Sequence, residues 1–197
     1  MLKKHLIAWL LGTALLLFVN IAFEDRSVMD QFLAEREMIV ASMGDGAAGR
    51  VQQGSNAVYS ICCGWLADIS YDLFVPPTDD SLGFKESMIK SHEAFWTSIY
   101  MTISRIIVVG EWGVVFWVLF IAAFYQGLTK RAIRVVNTAW SSPVKYHLAL
   151  HYIVVISGLF INYVLWPWSA HPYVAAFLMF LMTVTAYVVA SNIQPKI

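Results

Sequence analysis

The sequence predicts an all-α, polytopic membrane protein with four transmembrane helices and a helical segment between the first and second. Two observations predict it. Of the 197 residues, 59% are hydrophobic and 13% charged, whereas a soluble domain runs about 45–50% apolar and about 25% charged. The apolar residues are also gathered into long runs, at 6–23, 106–128, 147–166 and 173–190, in which Glu111 is the single formal charge. A hydrocarbon layer about 30 Å thick takes roughly 20 helical residues to cross, so each run is long enough.

The elements follow in order. Residues 1–23 are read as a short N-terminus and the first span. Lys3 and Lys4 give that run the charge of a signal peptide. It is longer than the usual apolar stretch of about 7–15 residues, and Asn20-Ile21-Ala22 lacks the small residue a cleavage site needs, so an uncleaved anchor is expected. Residues 24–104 are a helical segment, 105–128 the second span, 129–146 a basic loop, and 147–197 the third and fourth spans with a short tail. Lys3, Lys4, Lys130, Arg131, Arg134, Lys145 and Lys196 put seven bases and no acid on one side. The segment 24–105 carries twelve acids against six bases. Short basic flanks set orientation, which places both termini and the basic loop in the cytoplasm and 24–104 on the far side. Trp166, Trp168 and Tyr173 at one boundary, and Tyr125, Trp140 and Tyr146 at the other, supply the aromatic belts.

Within 24–104 the helix period recurs three times. Met29, Phe32, Leu33, Arg36 (through its aliphatic stem), Ile39 and Val40 mark an apolar face that stops at Gly44. Val51, Val58, Ile61, Cys62, Trp65, Ile69 and Leu73 mark a second, ending before Pro76-Pro77, which no helix interior tolerates. Phe84, Met88, His92, Phe95, Ile99 and Ile103 mark a third. No breaker follows before Gly110, so this helix is expected to run straight into the second span.

Several short motifs invite chemistry. Gly44-Asp45-Gly46-Ala47-Ala48-Gly49 has the spacing of a dinucleotide loop, but that fingerprint needs a preceding strand in a βαβ unit. Here a helix precedes it, so the glycines read as the end of one helix and the start of the next. His92-Glu93-Ala94-Phe95-Trp96 begins like a zinc-protease motif and lacks its second histidine. His147 and His151 share a helix face and make half a metal site; they read as interfacial histidines, with a pH- or metal-sensitive contact as the alternative. Adjacent Cys62 and Cys63 read as small helix residues, the alternative being a disulfide to another subunit. No catalytic, cofactor-binding or metal set emerges, and no cofactor is expected.

Two groups stand out as contact sites. Glu111 is costly at membrane depth unless protonated, paired or turned inward. Asn162 on the third span falls at a matching depth, so Glu111 and Asn162 are candidates for an intramembrane helix contact, with docking of another subunit's helix as the alternative. Gly110 and Gly113 beside it, and Ala186 and Ala190 on the last span, allow close helix approach. Lys130, Arg131, Arg134 and Lys145 are candidates for docking a partner or anionic headgroups; four charges are too few to predict direct DNA binding.

The layout also carries a family resemblance. It lies in AEREMIVASMG at 34–44, WLADISYDLF at 65–74, EAFW at 93–96, SSPVKYHLALH at 141–151 and the closing SNIQPKI. With these stretches the chain resembles the integrating conjugative element membrane protein family, a domain family of unknown function in bacterial conjugative plasmids and integrating elements. The resemblance implies an inner-membrane component of conjugative DNA transfer; with the orientation read from charge, 24–104 would then lie in the periplasm. It would serve as a scaffold or adaptor for the coupling ATPase or the type IV secretion channel, in the lipid bilayer and as a possible homo-oligomer. It transfers no catalytic residue. The alternatives are an exclusion or regulatory protein of the element, and a small transporter.

Overall fold

A computed structural model describes residues 7, 11, 12, 28–75, 84–137, 142–166 and 168–193. Among them the only regular structure is helical. The order is α1 (Val28–Met43), α2 (Asp45–Tyr59), one turn of π-helix (Ser60–Gly64), α3 (Trp65–Phe74), α4 (Phe84–Val136), α5 (Pro143–Leu165) and α6 (Tyr173–Asn192). Among the described residues three helices are long and apolar enough to cross a membrane: α4, α5 and α6. The sequence predicts four. The remaining candidate, 6–23, lies outside the described residues except for Ile7, Leu11 and Gly12, which are helical.

The chain forms two compact units. One holds α1 to α3, α4 as far as Val108, and Tyr163–Pro172; the other holds Val109–Asn162 and α6. In the first, α1 ends where predicted, because Gly44 takes φ +79°, the left-handed region that only glycine enters freely. Its N–H still donates to the Val40 carbonyl at 2.9 Å. The buried stripe of α1 is rotated from the predicted one. Val28, Glu35 and Ile39 are buried, while Met29, Leu33 and Val40 are exposed, as is Arg36. Helix α2 lies close against α4: a Cβ on Gly54 would stand 3.2 Å from the Ile107 Cδ1. The Tyr100 hydroxyl donates to Asn56 Oδ1 at 2.6 Å, and the rings of Phe32 and Tyr59 meet Tyr100 edge-on.

Helix α4 has 53 residues, about 80 Å at 1.5 Å per residue. As predicted, it enters the second apolar run without a break. It also continues through Lys130, Arg131 and Arg134 to Val136, so the first half of the predicted 129–146 loop is helix. Nothing between Gly127 and Pro143 forbids helix except the preference of a chain for a turn before proline. Helix α5 then opens with Pro143 at its first position, where its missing N–H costs nothing. Ser142 caps it, accepting the Lys145 N–H on its Oγ at 3.3 Å. In the second unit α4 and α6 are in close contact at Gly127, where a Cβ would come within 2.7 Å of both the Ala190 Cβ and the Tyr187 carbonyl oxygen. Ala186 and Ala190 are buried as expected. Gly110 and Gly113 play a smaller part than predicted: a Cβ on Gly110 meets nothing within 4 Å, and one on Gly113 meets only the Met179 Cε at 3.8 Å.

Candidate functional site

The first unit holds an ion pair buried on both sides. Arg105 on α4 and Glu35 on α1 have side chains 1% and 4% exposed. Arg105 Nε and Nη2 donate to the two Glu35 carboxylate oxygens at 2.8 and 2.6 Å. The other guanidinium hydrogens reach the end of α5 and the segment after it: Nη1 donates to the Tyr163 carbonyl at 3.4 Å and to that of Trp166, and Nη2 to that of Trp168 at 2.7 Å. Glu35 also accepts the Ala170 N–H at 3.3 Å. A buried charge is tolerated only when paired and hydrogen-bonded, and this pair satisfies both conditions while joining three stretches of chain. Sequence reasoning counted both residues as ordinary charges. The available signal was position: Glu35 falls one turn from both Phe32 and Ile39, and Arg105 one turn from both Met101 and Val108.

A second cluster joins α3 to α4. The Ser70 Oγ lies 2.8 Å from His92 Nε2, and the Trp96 Nε1–H is 3.0 Å from each. The Tyr71 ring meets the His92 ring edge-on. A serine beside a histidine is the spacing of a nucleophile and its base. Here the indole N–H occupies the acceptor nitrogen that a base would use, and the serine hydroxyl is also 2.9 Å from the Ala67 carbonyl. The cluster ties α3 to α4. His92→Ala is expected to cost about 1–2 kcal/mol through the lost hydrogen bonds, read as a lower thermal midpoint in mild detergent.

Between α1, α2 and α4 lies a cavity of about 220 Å³, with Ile39, Val51 and Met101 in its wall and Arg36, Gln52 and Tyr100 among its polar groups.

In the second unit the predicted basic residues are drawn into the fold to different degrees. The Lys130 Nζ donates to the Tyr187 hydroxyl at 2.9 Å and lies over that ring. Arg134 Nη1 donates to the Ser191 carbonyl at 3.2 Å and to Asn192 Oδ1 at 3.3 Å, a cation on the last carbonyls of α6 where the helix dipole favours it. The half-buried Arg131 has its Nε enclosed, with no hydrogen-bond partner among the described residues. Lys145 is exposed on the first turn of α5, followed by exposed His147 and His151. Among the described residues no group of three or more His, Cys, Asp or Glu side chains is placed to hold a metal ion. Glu111 and Asn162 are both half-buried and belong to this unit.

The largest departure from sequence reasoning is the outer face of α2 and α3. Val51 is buried, but Val58, Ile61, Trp65, Ile69 and Leu73, predicted to lie with it, are 41–76% exposed. Cys62 is exposed too and carries a free thiol. Val58 and Ile61 already face outward before and within the π-turn, and the extra residue in that turn rotates Trp65, Ile69 and Leu73 after it by roughly 100°.

Comparison with known proteins gives one match. A family model described as IncC plasmid conjugative DNA transfer protein DtrJ-like matches residues 28–194. No curated protein and no solved structure matches the chain.

Proposed function

The chain belongs to the DtrJ-like family of conjugative DNA transfer proteins, and from that membership we propose that it works as a non-enzymatic scaffold or adaptor in the inner membrane. Its involvement in conjugative DNA transfer follows from the family, and its three apolar helices fit a membrane location. The proposal adds a role and an address. Both termini lie in the cytoplasm and 24–104 in the periplasm, with the coupling ATPase or secretion-channel subunits as partners. The observation that carries it is the pairing of membrane-length helices with a wide outward apolar face on α2 and α3, since contiguous exposed apolar surface marks an interaction site.

On the cytoplasmic side the docking surface is read in Lys130, Arg131 and Lys145, with Arg134 bracing α6. Lys130→Gln with Lys145→Gln is expected to reduce copurification with the coupling ATPase while the protein stays folded and inserted. Undiminished recovery would remove this surface. Deletion of the gene in a donor is expected to reduce transfer sharply, and deletion in a recipient to leave it unchanged. The reverse result would identify the exclusion protein instead. Labelling from either side is expected to place Asp79 opposite Lys196; finding them on one face would overturn the orientation.

A further inference from the structure

Helix α3 is built with its small residues inward. Ala67 and Ser70, preceded by Cys63 and Gly64, are half-buried, and Ser70 makes the contact with α4. The large apolar residues point the other way: Ile61, Trp65, Ile69 and Leu73 are 55–76% exposed, with Leu66 and Phe74 also exposed. Trp65, Ile69 and Leu73 recur every fourth residue and make one ridge. Asp68 and Asp72, both exposed, border it on one side. We infer that this face docks an amphipathic helix of another protein whose apolar ridge is flanked by lysine or arginine. The inference rests on the adaptor reading and names the chemistry of one partner.

Lipid does not fit as the occupant. Gly54 meets Ile107 at the start of the apolar run of α4, whereas Ser70 meets His92, fifteen residues earlier on the same helix. That is about 22 Å along the axis, beyond a headgroup layer that adds only about 5–8 Å on each side. The exposed Glu86–Lys90 ion pair lies further still in that direction. A second copy does not fit either. No lysine or arginine lies between Arg50 and Lys85. Antiparallel pairing of two such faces sets acids against acids, and parallel pairing offers no counter-charge. A ridge flanked by bases satisfies both the apolar and the acidic strips.

The test uses the full chain in phosphatidylcholine nanodiscs and two labelled synthetic helical peptides that share one leucine ridge, flanked by lysines in one and glutamates in the other. Fluorescence anisotropy is expected to show the lysine peptide binding at least about tenfold more tightly. Asp68→Lys with Asp72→Lys should reverse the preference. Ile69→Glu with Leu73→Glu should weaken lysine-peptide binding about tenfold without lowering the thermal midpoint, because both side chains already face outward. Equal binding of the two peptides, or binding indifferent to the Ile69 and Leu73 changes, would overturn the inference. So would near-complete Cys62 cross-linking of two copies that disappears with Ile69→Glu, which would make a second copy the occupant. The adaptor reading fails by a different readout, undiminished transfer after deletion in the donor.

Discussion

Arg105→Gln is expected to destabilise the protein by about 3–5 kcal/mol, the usual cost of removing one member of a buried ion pair. The substitution leaves the Glu35 carboxylate 4% exposed with no counter-charge and removes the donors that hold the Trp166 and Trp168 carbonyls. Glu35→Gln should cost a similar amount by stranding the guanidinium. The double change Glu35→Leu with Arg105→Met is expected to recover part of the loss. It removes both charges, yet it leaves the carbonyls of 163, 166 and 168 and the Ala170 N–H without their partners. Thermal unfolding followed by helical circular dichroism checks all three. A midpoint unchanged by Arg105→Gln would show that the pair carries no weight.

The second large effect is expected at Gly127. Even alanine there puts a Cβ 2.7 Å from the Tyr187 carbonyl oxygen and from the Ala190 Cβ, and 3.1 Å from the Ser191 nitrogen. Two of those three atoms are backbone, so α6 must shift. Overpacking of this kind costs about 1–3 kcal/mol, and Gly127→Leu more than Gly127→Ala. Gly110→Ala is the matched control: it meets nothing within 4 Å and gains about 0.5–1 kcal/mol from better helix propensity. Thermal midpoints that move in opposite directions for the two glycines would locate the tight crossing at Gly127. Midpoints that move alike would refute it.

Much of the helix layout was legible because it depends on local chemistry. The break at Gly44, the continuity of α4, the apolar lengths of α5 and α6, and the family kinship all lay in short stretches of sequence. The facing of α1 and α3 was not. Periodicity assumes that the large apolar side chains turn inward, and Ile61, Trp65 and Leu73 turn outward. A π-turn has no residue signature that Ser60-Ile61-Cys62-Cys63-Gly64 displays, so the rotation after it was invisible. The Glu35–Arg105 pair spans seventy residues of chain, and only the folded arrangement brings its members together. The basic stretch was read as loop although it holds no breaker between Thr129 and Val136. There the charges mark where the apolar run ends, which is not where the helix ends.

The same ion pair dictates an order of events while the chain is being made. Glu35 and Arg105 leave the ribosome long before Trp166, Trp168 and Ala170 do, so some of the guanidinium hydrogens must exchange water for carbonyl oxygens when the connection between α5 and α6 arrives. The last third of the polypeptide thus closes over a charge pair that the first two thirds supply.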